Sequence, residues 1–189
     1  MTWETYTQLF EEILNGSHND APYDKESYLT YTKLNFSRQK RWLKQAQLNP
    51  ELVEHLKNLP SKQSWVLITE PWCGDASHSN PFIYLLSQLS ENIEFSINLR
   101  DGESGMIHDY LTNGGMSIPI LVVRDANGTD LFHWGPRPAA CQALFLANKN
   151  DASKTEEDKK IELQAWYNEN KGKDLQAELL VLLQNSVEG

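Results

Sequence analysis

The sequence predicts an α/β fold in which helices flank a central sheet. Apolar residues recur at helical spacing in residues 1–60 and again from about residue 151, and the segment between them alternates short β-type runs with helical ones. The order in that middle segment is β-α-β-α-β-β-α, which is typical of a sheet covered by helices. We therefore divide the chain into an N-terminal helical extension (1–60), a core (61–149) and C-terminal helices (150–189), which pack together as one compact domain.

Three helices are predicted in the N-terminal extension. The first has apolar residues at helical spacing, namely Trp3, Tyr6, Phe10 and Ile13. The pair Asn15-Gly16 is a C-terminal stop for it. A longer helix is predicted over about 25–47, and a short one lies in the segment 50–59 before a proline.

Four strands and three helices are predicted in the core. The strands are 64–69, 93–99, 118–123 and 129–134, and the turn sequence RDANG joins the last two as a hairpin. The helices are 82–90, 103–115 with an Asn-Gly-Gly stop, and one that begins after Pro138.

The C-terminal segment is predicted to be helical. Ser153 and Glu156 have the spacing of a capping box. An apolar stripe follows, formed by Leu175, Leu179, Leu182 and Leu183. We expect this stripe to pack on the body of the protein, and a partner-binding face is the alternative.

The charge balance argues against several classes of function. The 189 residues include 26 Asp and Glu against 17 Lys and Arg, a net charge of −9. Such an anionic surface disfavours non-specific binding to nucleic acids or membranes. The sequence shows no signal-peptide pattern and no apolar run of about 18 residues. Two cysteines cannot form a disulfide framework, so we expect a cytoplasmic protein.

The most informative stretch is 67–81, with the sequence LITEPWCGDASHSNP. It predicts a strand, a turn that carries Cys73, and a helix. A thiolate at a helix N-terminus faces unpaired backbone N–H groups and the positive end of the helix dipole, and both favour the charged form. Gly74 permits a tight turn, and Trp72 is placed to cover one side of the sulfur. Asp75 acts in the opposite direction, because a nearby negative charge disfavours a thiolate.

Several motifs together resemble those of thioredoxins. The turn WCGDA resembles their active-site turn WCGPC, and Pro81 lies where they place a proline in the active-site helix. The segment SIPILVV resembles their Ile-Pro strand start, and HWGPRP falls where they have a glycine-containing loop beside the same groove. The likeness covers roughly residues 61–149 and is nearest to a bacterial thioredoxin-like branch with a WCGD turn and a single active-site cysteine. It implies a mixed sheet flanked by helices, with extra N- and C-terminal helices.

The resemblance also implies a site. Cys73 is the implied catalytic residue, and the implied substrate-binding residues are Trp72, Gly74, Asp75, Arg100, Ile118, Pro119, Gly135 and Pro136. In thioredoxins the proline that matches Pro119 is cis and faces the cysteine, so Ile118 is placed to pair with an extended substrate as a short added strand. A proline that only opens an edge strand is the alternative for Pro119. A plain loop is the alternative for Gly135 and Pro136.

Two departures from the family change the expected chemistry. Ala76 replaces the resolving cysteine, and Leu67 stands where thioredoxins carry a buried aspartate. Cys73 can attack a disulfide, but a thiol from solution must then resolve the mixed disulfide. We therefore expect thiol–disulfide exchange, with protein disulfides or low-molecular-weight thiols as partners. A peroxide-sensing sulfenic acid at Cys73 is a further option. The principal alternative is a binding module that keeps the groove and has lost the chemistry.

Basic residues near the site have two interpretations each. Arg100 either stabilises a thiolate or binds an anionic thiol, or it pairs with Asp101 or Glu103. The basic run that contains Arg38 and Arg41 either selects an anionic ligand or forms a solvated helix face.

The remaining chemically active residues give weaker signals. Cys141 is either a distant resolving cysteine or a small buried core residue, and its apolar surroundings favour the core role. His78 follows Cys73 by five residues on the predicted helix and is expected to point away from it. The histidines share no metal-ligand spacing, and the sequence has no phosphate-binding loop and no nucleic-acid motif. We expect no metal and no cofactor.

Overall fold

The structure, a computed structural model, describes residues 1–187. Within this range there are seven α-helices, four strands and one short 3-10 helix at Met106–Asp109. The helices are α1 (Trp3–Asn15), α2 (Glu26–Gln45), α3 (Pro50–Lys57), α4 (Gly74–Ser87), α5 (Ala139–Lys149), α6 (Glu156–Asn170) and α7 (Lys173–Val187). The strands are β1 (Gln63–Thr69), β2 (Ile93–Leu99), β3 (Ile120–Arg124) and β4 (Asp130–Trp134).

The four strands form one mixed sheet in the order β2-β1-β3-β4. β1 and β2 are parallel, and α4 makes the crossover between them. β3 runs antiparallel to β1, and β4 runs antiparallel to β3 as the hairpin sequence predicts. The predicted fold class, a thioredoxin-like mixed sheet flanked by helices with extra terminal helices, is confirmed.

The helix predicted over 103–115 is wrong. Only the 3-10 turn Met106–Asp109 forms there. Gly105 precedes this turn with φ +60°, a left-handed conformation that a continuous right-handed helix cannot contain. After the turn, Thr112 and Gly115 exchange two backbone hydrogen bonds in a tight reversal of the chain. Glycines at both ends therefore outweigh the apolar spacing between them.

The predicted capping box at Ser153 and Glu156 is also wrong by two residues. The helix begins after Thr155, whose Oγ1 accepts from the backbone N–H of Asp158, while the Asp158 carboxylate accepts from the backbone N–H of Thr155. Both distances are 3.1 Å. Ser153 bonds to Asp151 in the preceding turn instead. Asp158, at the third helical position, takes the role that was predicted for Glu156.

The N-terminal helix completes the main hydrophobic core. Trp3, Tyr6 and Phe10 of α1 are buried in it. The Trp3 ring stacks on Tyr84 of α4 with 4.3 Å between ring centroids. Gly16 ends α1 in the left-handed conformation, as predicted.

The C-terminal helix α7 packs on the same core. Leu175, Leu179 and Leu183 are buried, and Leu182 is partly buried against the same cluster. The leucine stripe therefore faces the body of the protein, as expected. None of the helices in residues 1–187 has the length and apolar character needed to cross a membrane.

Candidate functional site

Cys73 lies where β1 leads into α4, at the N-cap position of the helix. Its backbone N–H donates to the carbonyl of Glu70 at 3.1 Å, which closes the turn. Its thiol donates to the carbonyl oxygen of Ile118, with 3.4 Å between Sγ and O. Only 7% of the residue is exposed. The sulfur therefore lies at the foot of a groove rather than on a protruding turn.

Two loops meet beside the sulfur, one before β3 and one after β4. The Ile118–Pro119 peptide bond is cis, and so is the Gly135–Pro136 bond. Gly135 has φ +127°, and a Cβ on it would lie 2.2 Å from the carbonyl oxygen of Pro119. The two backbones are thus too close for any residue other than glycine.

Replacing Gly135 by alanine is expected to destabilise the protein by more than about 2 kcal/mol, because the new Cβ must displace the Pro119 carbonyl from a backbone conformation that already disfavours alanine. Gly128→Ala is the matched control: Gly128 has φ +83°, but nothing lies within 4 Å of its added Cβ. We expect the control to cost only about 1 kcal/mol of backbone strain. Urea unfolding measures both values, and equal losses in the two variants would contradict the close contact.

A groove of about 940 Å³ opens onto Cys73. Helix α2 forms one wall, α6 forms another, and the cysteine turn and the loop before β3 form the rest. Four of its apolar residues are exposed by 38–57%, namely Tyr31, Leu34, Met116 and Ile161. A concave, largely apolar lining of this size is typical of a ligand site.

Side chains of α2 and α6 meet at two places. Lys160 Nζ donates to the Tyr31 hydroxyl at 2.5 Å, and Arg41 Nη2 donates to the Asn168 amide oxygen at 2.7 Å. Since both residue numbers increase from one contact to the next, the two helices run side by side in the same direction. Helix α6 also lies over the cysteine turn, because a Cβ on Gly74 would be 3.9 Å from the side-chain nitrogen of Gln164.

Asp75 ties the cysteine turn to two distant segments. Its Oδ2 lies 2.7 Å from Nη2 of Arg137, and its Oδ1 accepts from the Tyr167 hydroxyl at 2.8 Å. Each side chain of the ion pair is only 11% exposed. The Arg137 guanidinium also stacks on the ring of Phe145, 3.8 Å from its centroid. One buried carboxylate therefore joins the WCGD turn, the GPRP loop and α6.

The surroundings of Cys73 keep its thiol protonated. Burial, followed by the nearby Asp75 carboxylate, raises the pKa of the Cys73 thiol to about 12. The backbone N–H groups of Ala76 and Asp75 and the Arg137 guanidinium lower the pKa, as expected at a helix N-terminus, but they do not compensate. The sequence predicts opposing effects of the helix N-terminus and of Asp75 on the thiolate, and burial together with Asp75 outweighs the helix N-terminus.

Arg100 is paired, as one of its two interpretations predicts. Its Nε and Nη2 each donate to one oxygen of Asp101 at 2.8 Å. The guanidinium also lies over the Trp72 ring, 4.5 Å from the centroid, and both residues line the groove. The pairing leaves Arg100 less available to a thiolate or to a ligand.

His78 is held within the packing of three helices. Its Nδ1 accepts from the Trp42 indole N–H at 2.9 Å, and its Nε2 lies 2.8 Å from Oε1 of Gln164. Its ring stacks on Tyr167 with 4.5 Å between centroids. Burial lowers the pKa of His78 to about 3, so the imidazole is neutral with its proton on Nε2. These contacts make His78 a structural residue, as expected from its spacing to Cys73.

Cys141 is a core residue, as the apolar sequence around it predicts. It is fully buried on α5, and both cysteines are free. Burial raises the pKa of the Cys141 thiol to about 12. A buried, protonated thiol of this kind is a poor resolving group.

The groove brings most of the predicted site residues together. Its lining includes Trp72, Cys73, Gly74, Asp75, Arg100 and Ile118. Pro119, Gly135 and Pro136, which were also predicted to bind substrate, are not among the lining residues. Gly135 packs its backbone against Pro119, and Arg137 is the residue of that loop that reaches the lining.

Sequence reasoning missed the contribution of α6 and of Arg137. Arg137 lies inside the GPRP motif, so the motif is a sequence signal for its role. Gln164, Lys160 and Tyr167 have no comparable signal, because no local pattern shows that α6 crosses the cysteine turn.

The fold and the site together define a thioredoxin-fold protein with one cysteine, Cys73, in the turn between β1 and α4. The chain belongs to the thioredoxin family Thioredoxin_9, which matches residues 21–160. This match includes all strands of the sheet, the cysteine turn and both loops beside it.

Two solved structures share the fold. One is a protein of unknown function from Pseudomonas aeruginosa, 15% identical, which aligns over 97% of this chain and 92% of its own with a TM-score of 0.56. The other is an HIV epitope-scaffold of the 4E10 series, 17% identical, which aligns over 98% of this chain and 99% of its own with the same TM-score. No curated protein matches the sequence significantly. At these identities the likeness extends to the fold alone.

Proposed function

We propose that the protein carries out thiol–disulfide exchange through Cys73 alone. The observation that supports this function is the position of its Sγ, at the N-terminus of α4, 3.4 Å from the Ile118 carbonyl and at the foot of the groove. A disulfide bound along the groove would have one sulfur next to Cys73. Pairing of the Ile118 backbone with an extended substrate is part of this proposal, and protein disulfides and low-molecular-weight thiols are both candidate partners.

The proposed reaction has two exchange steps. The Cys73 thiol loses its proton and attacks one sulfur of a disulfide R–S–S–R, so that the Cys73–S–S–R bond forms, the original bond breaks, and RS⁻ leaves and takes up the proton. A second thiol from solution then attacks the mixed disulfide and restores Cys73. Ala76 cannot perform this second step, and Cys141 is buried. The protein thus transfers a thiol group without a net change in its own oxidation state.

Because the pKa of Cys73 is raised, thiol acidity cannot account for the rate of thiol–disulfide exchange. With a pKa of about 12, only a very small fraction of Cys73 is thiolate at neutral pH. A bound disulfide is held at a high effective concentration beside the sulfur, and a less acidic thiol gives a more nucleophilic thiolate. Substrate binding in the groove, rather than an acidic thiol, is therefore what accelerates exchange.

A binding module is the second candidate function. It is favoured by the protonation of Cys73 and by the replacement of the resolving cysteine by Ala76. In this case the groove beside Pro119 holds a protein or peptide partner, and the thiol is one of its lining groups.

Alkylation of Cys73 in a Cys141→Ala background is expected to be slow at pH 7 and to rise about tenfold per pH unit up to pH 10 without a plateau, because the thiolate fraction follows the raised pKa. Iodoacetamide labelling followed by intact-protein mass measures the rate. The same protein in urea is the control and should level off near the ordinary thiol pKa of about 8.5. A plateau below pH 8 in the folded protein would contradict the raised pKa.

Mixed-disulfide capture tests the proposed function itself. Cys141→Ser protein is incubated with a small disulfide, and intact mass should show one adduct that a free thiol removes. Cys73→Ser protein, which keeps Cys141, is the matched control and should form no adduct. Cellular complementation by Cys73→Ser would instead favour the binding module.

A further inference from the structure

We infer that the groove binds a low-molecular-weight disulfide that carries a carboxylate or a similar acid group, and that Arg38 is the residue that holds the acid. This inference rests on the proposed function, because it names the substrate class of Cys73.

Access to the sulfur favours small molecules over folded proteins. Cys73 is only 7% exposed at the foot of the groove, and α2 and α6 stand on either side of it. The Tyr31–Lys160 contact bridges these two walls. The volume of about 940 Å³ lies near the upper end of the range of small-molecule sites, roughly 300–1,000 Å³. A disulfide on a rigid protein surface would have to pass between the walls, whereas a small disulfide enters freely.

Arg38 is held in place near the cysteine turn. Its Nη1 donates to the side-chain oxygen of Asn35 at 3.1 Å. The amide nitrogen of Asn35 donates in turn to the carbonyl of Pro71 at 3.0 Å, two residues before Cys73. Arg38 lines the groove, and no carboxylate in residues 1–187 forms an ion pair with it. Most of its five N–H donors therefore remain for a bidentate acid group.

The two other arginines of the lining are paired with carboxylates, Arg100 with Asp101 and Arg137 with Asp75. Lys160 donates to the Tyr31 hydroxyl and is a single-point donor, so Arg38 is the guanidinium of the described lining left for a bidentate acid group. In the described part of the lining, Glu157 is the acidic residue outside these pairs. The groove is thus more positive than the protein as a whole, whose net charge is −9. This contrast favours an anionic ligand and disfavours an amine.

The apolar lining defines the rest of the ligand. Leu34 of α2, Ile161 of α6 and Met116 of the loop before β3 are exposed in the groove. They provide apolar contacts within the same groove for the carbon chain of a ligand. The ligand is therefore expected to be amphipathic, with its acid separated from its disulfide by a short apolar segment.

Three disulfides of similar length test the inference, namely dithiodipropionate with two carboxylates, hydroxyethyl disulfide without charge, and cystamine with two ammonium groups. The rate of adduct formation on Cys73 is measured in Cys141→Ser protein. It is divided by the rate at which a small reference thiol reacts with the same disulfide, and this corrects for the intrinsic reactivity of each disulfide. We expect the corrected rate to be at least about tenfold higher for dithiodipropionate than for cystamine. Arg38→Gln should remove about tenfold from the dithiodipropionate rate and leave the neutral disulfide unchanged.

Lys33→Gln is the matched control variant. It removes one positive charge from an exposed position on the same helix, outside the groove lining, and should not change the rates. Circular dichroism verifies that each variant is folded. Corrected rates that are equal for the three disulfides and unaffected by Arg38→Gln would overturn the inference and leave exchange by Cys73 intact.

Binding to Cys73→Ser protein separates the inference from the proposed function. This variant cannot form an adduct, so NMR shifts on addition of dithiodipropionate report the groove alone. If no disulfide forms an adduct with the Cys141→Ser protein, but dithiodipropionate binds Cys73→Ser and Arg38→Gln abolishes this binding, the acid site is supported and exchange is overturned. If neither adduct nor binding is observed, both are overturned.

Discussion

Replacing Ala76 by cysteine is expected to give a protein that resolves its own mixed disulfide. Ala76 is buried in the first turn of α4, at the Cys-x-x-Cys spacing from Cys73. An intramolecular thiol at this position acts at a far higher effective concentration than a millimolar thiol from solution. The lifetime of the adduct on Cys73 should therefore fall by at least about a hundredfold. The measurement is the decay of a preformed adduct, followed by intact mass in a Cys141→Ser background.

The double variant Cys73→Ser with Ala76→Cys is the control for the expected self-resolution of the mixed disulfide. It carries the new thiol but lacks the attacking one, so it should not turn over disulfides. An adduct that survives as long in the Ala76→Cys protein as in its parent would show that a second thiol cannot reach the Cys73 sulfur. The Cys-x-x-Cys spacing alone would then be insufficient for resolution of the mixed disulfide in this fold.

Asp75→Asn and Arg137→Gln are expected to destabilise the protein equally and to change thiol reactivity in opposite directions. Each variant leaves one member of a largely buried ion pair without its partner, which costs about 3 kcal/mol. The Asp75 carboxylate raises the pKa of Cys73, and the Arg137 guanidinium lowers it. Asp75→Asn should therefore accelerate alkylation of Cys73 by roughly tenfold, and Arg137→Gln should slow it further.

Urea unfolding and alkylation at pH 8 measure the two effects separately. The double variant Asp75→Asn with Arg137→Gln should recover part of the lost stability, because it leaves no unpaired buried charge. Acceleration of alkylation in both single variants would show that local unfolding, rather than charge, controls the reactivity of Cys73.

The sequence was sufficient for the elements that depend on local patterns. The strand 93–99 and the end of α1 at Gly16 agree with the structure, because alternation and a left-handed glycine are local signals. The helix predicted over 103–115 failed for an equally local reason. The apolar spacing there favours a helix, but Gly105 adopts a left-handed backbone conformation that excludes one.

Only the parts of the site that lie within sequence motifs could be predicted from the sequence. The turn at Cys73 and the loop at Pro119 are encoded by short segments, and the sheet brings them together because β1 and β3 are neighbours. The opposing influences on Cys73 could be named from the sequence, but burial decides between them, and burial depends on packing. The wall formed by α6 was not predictable, because the contact between Tyr167 and Asp75 joins residues 92 positions apart.

The position of α6 has a consequence for motion. The helix is fastened to the cysteine turn and its neighbours through Tyr167 to Asp75, Gln164 to His78 and Lys160 to Tyr31. These contacts make α6 and the turn one cooperative unit, so their slow amides should exchange with deuterium through a common opening. For reagents too large for the groove, the frequency of this opening sets the rate of reaction. The stability of a helix far along the chain, rather than the acidity of the sulfur, then protects Cys73.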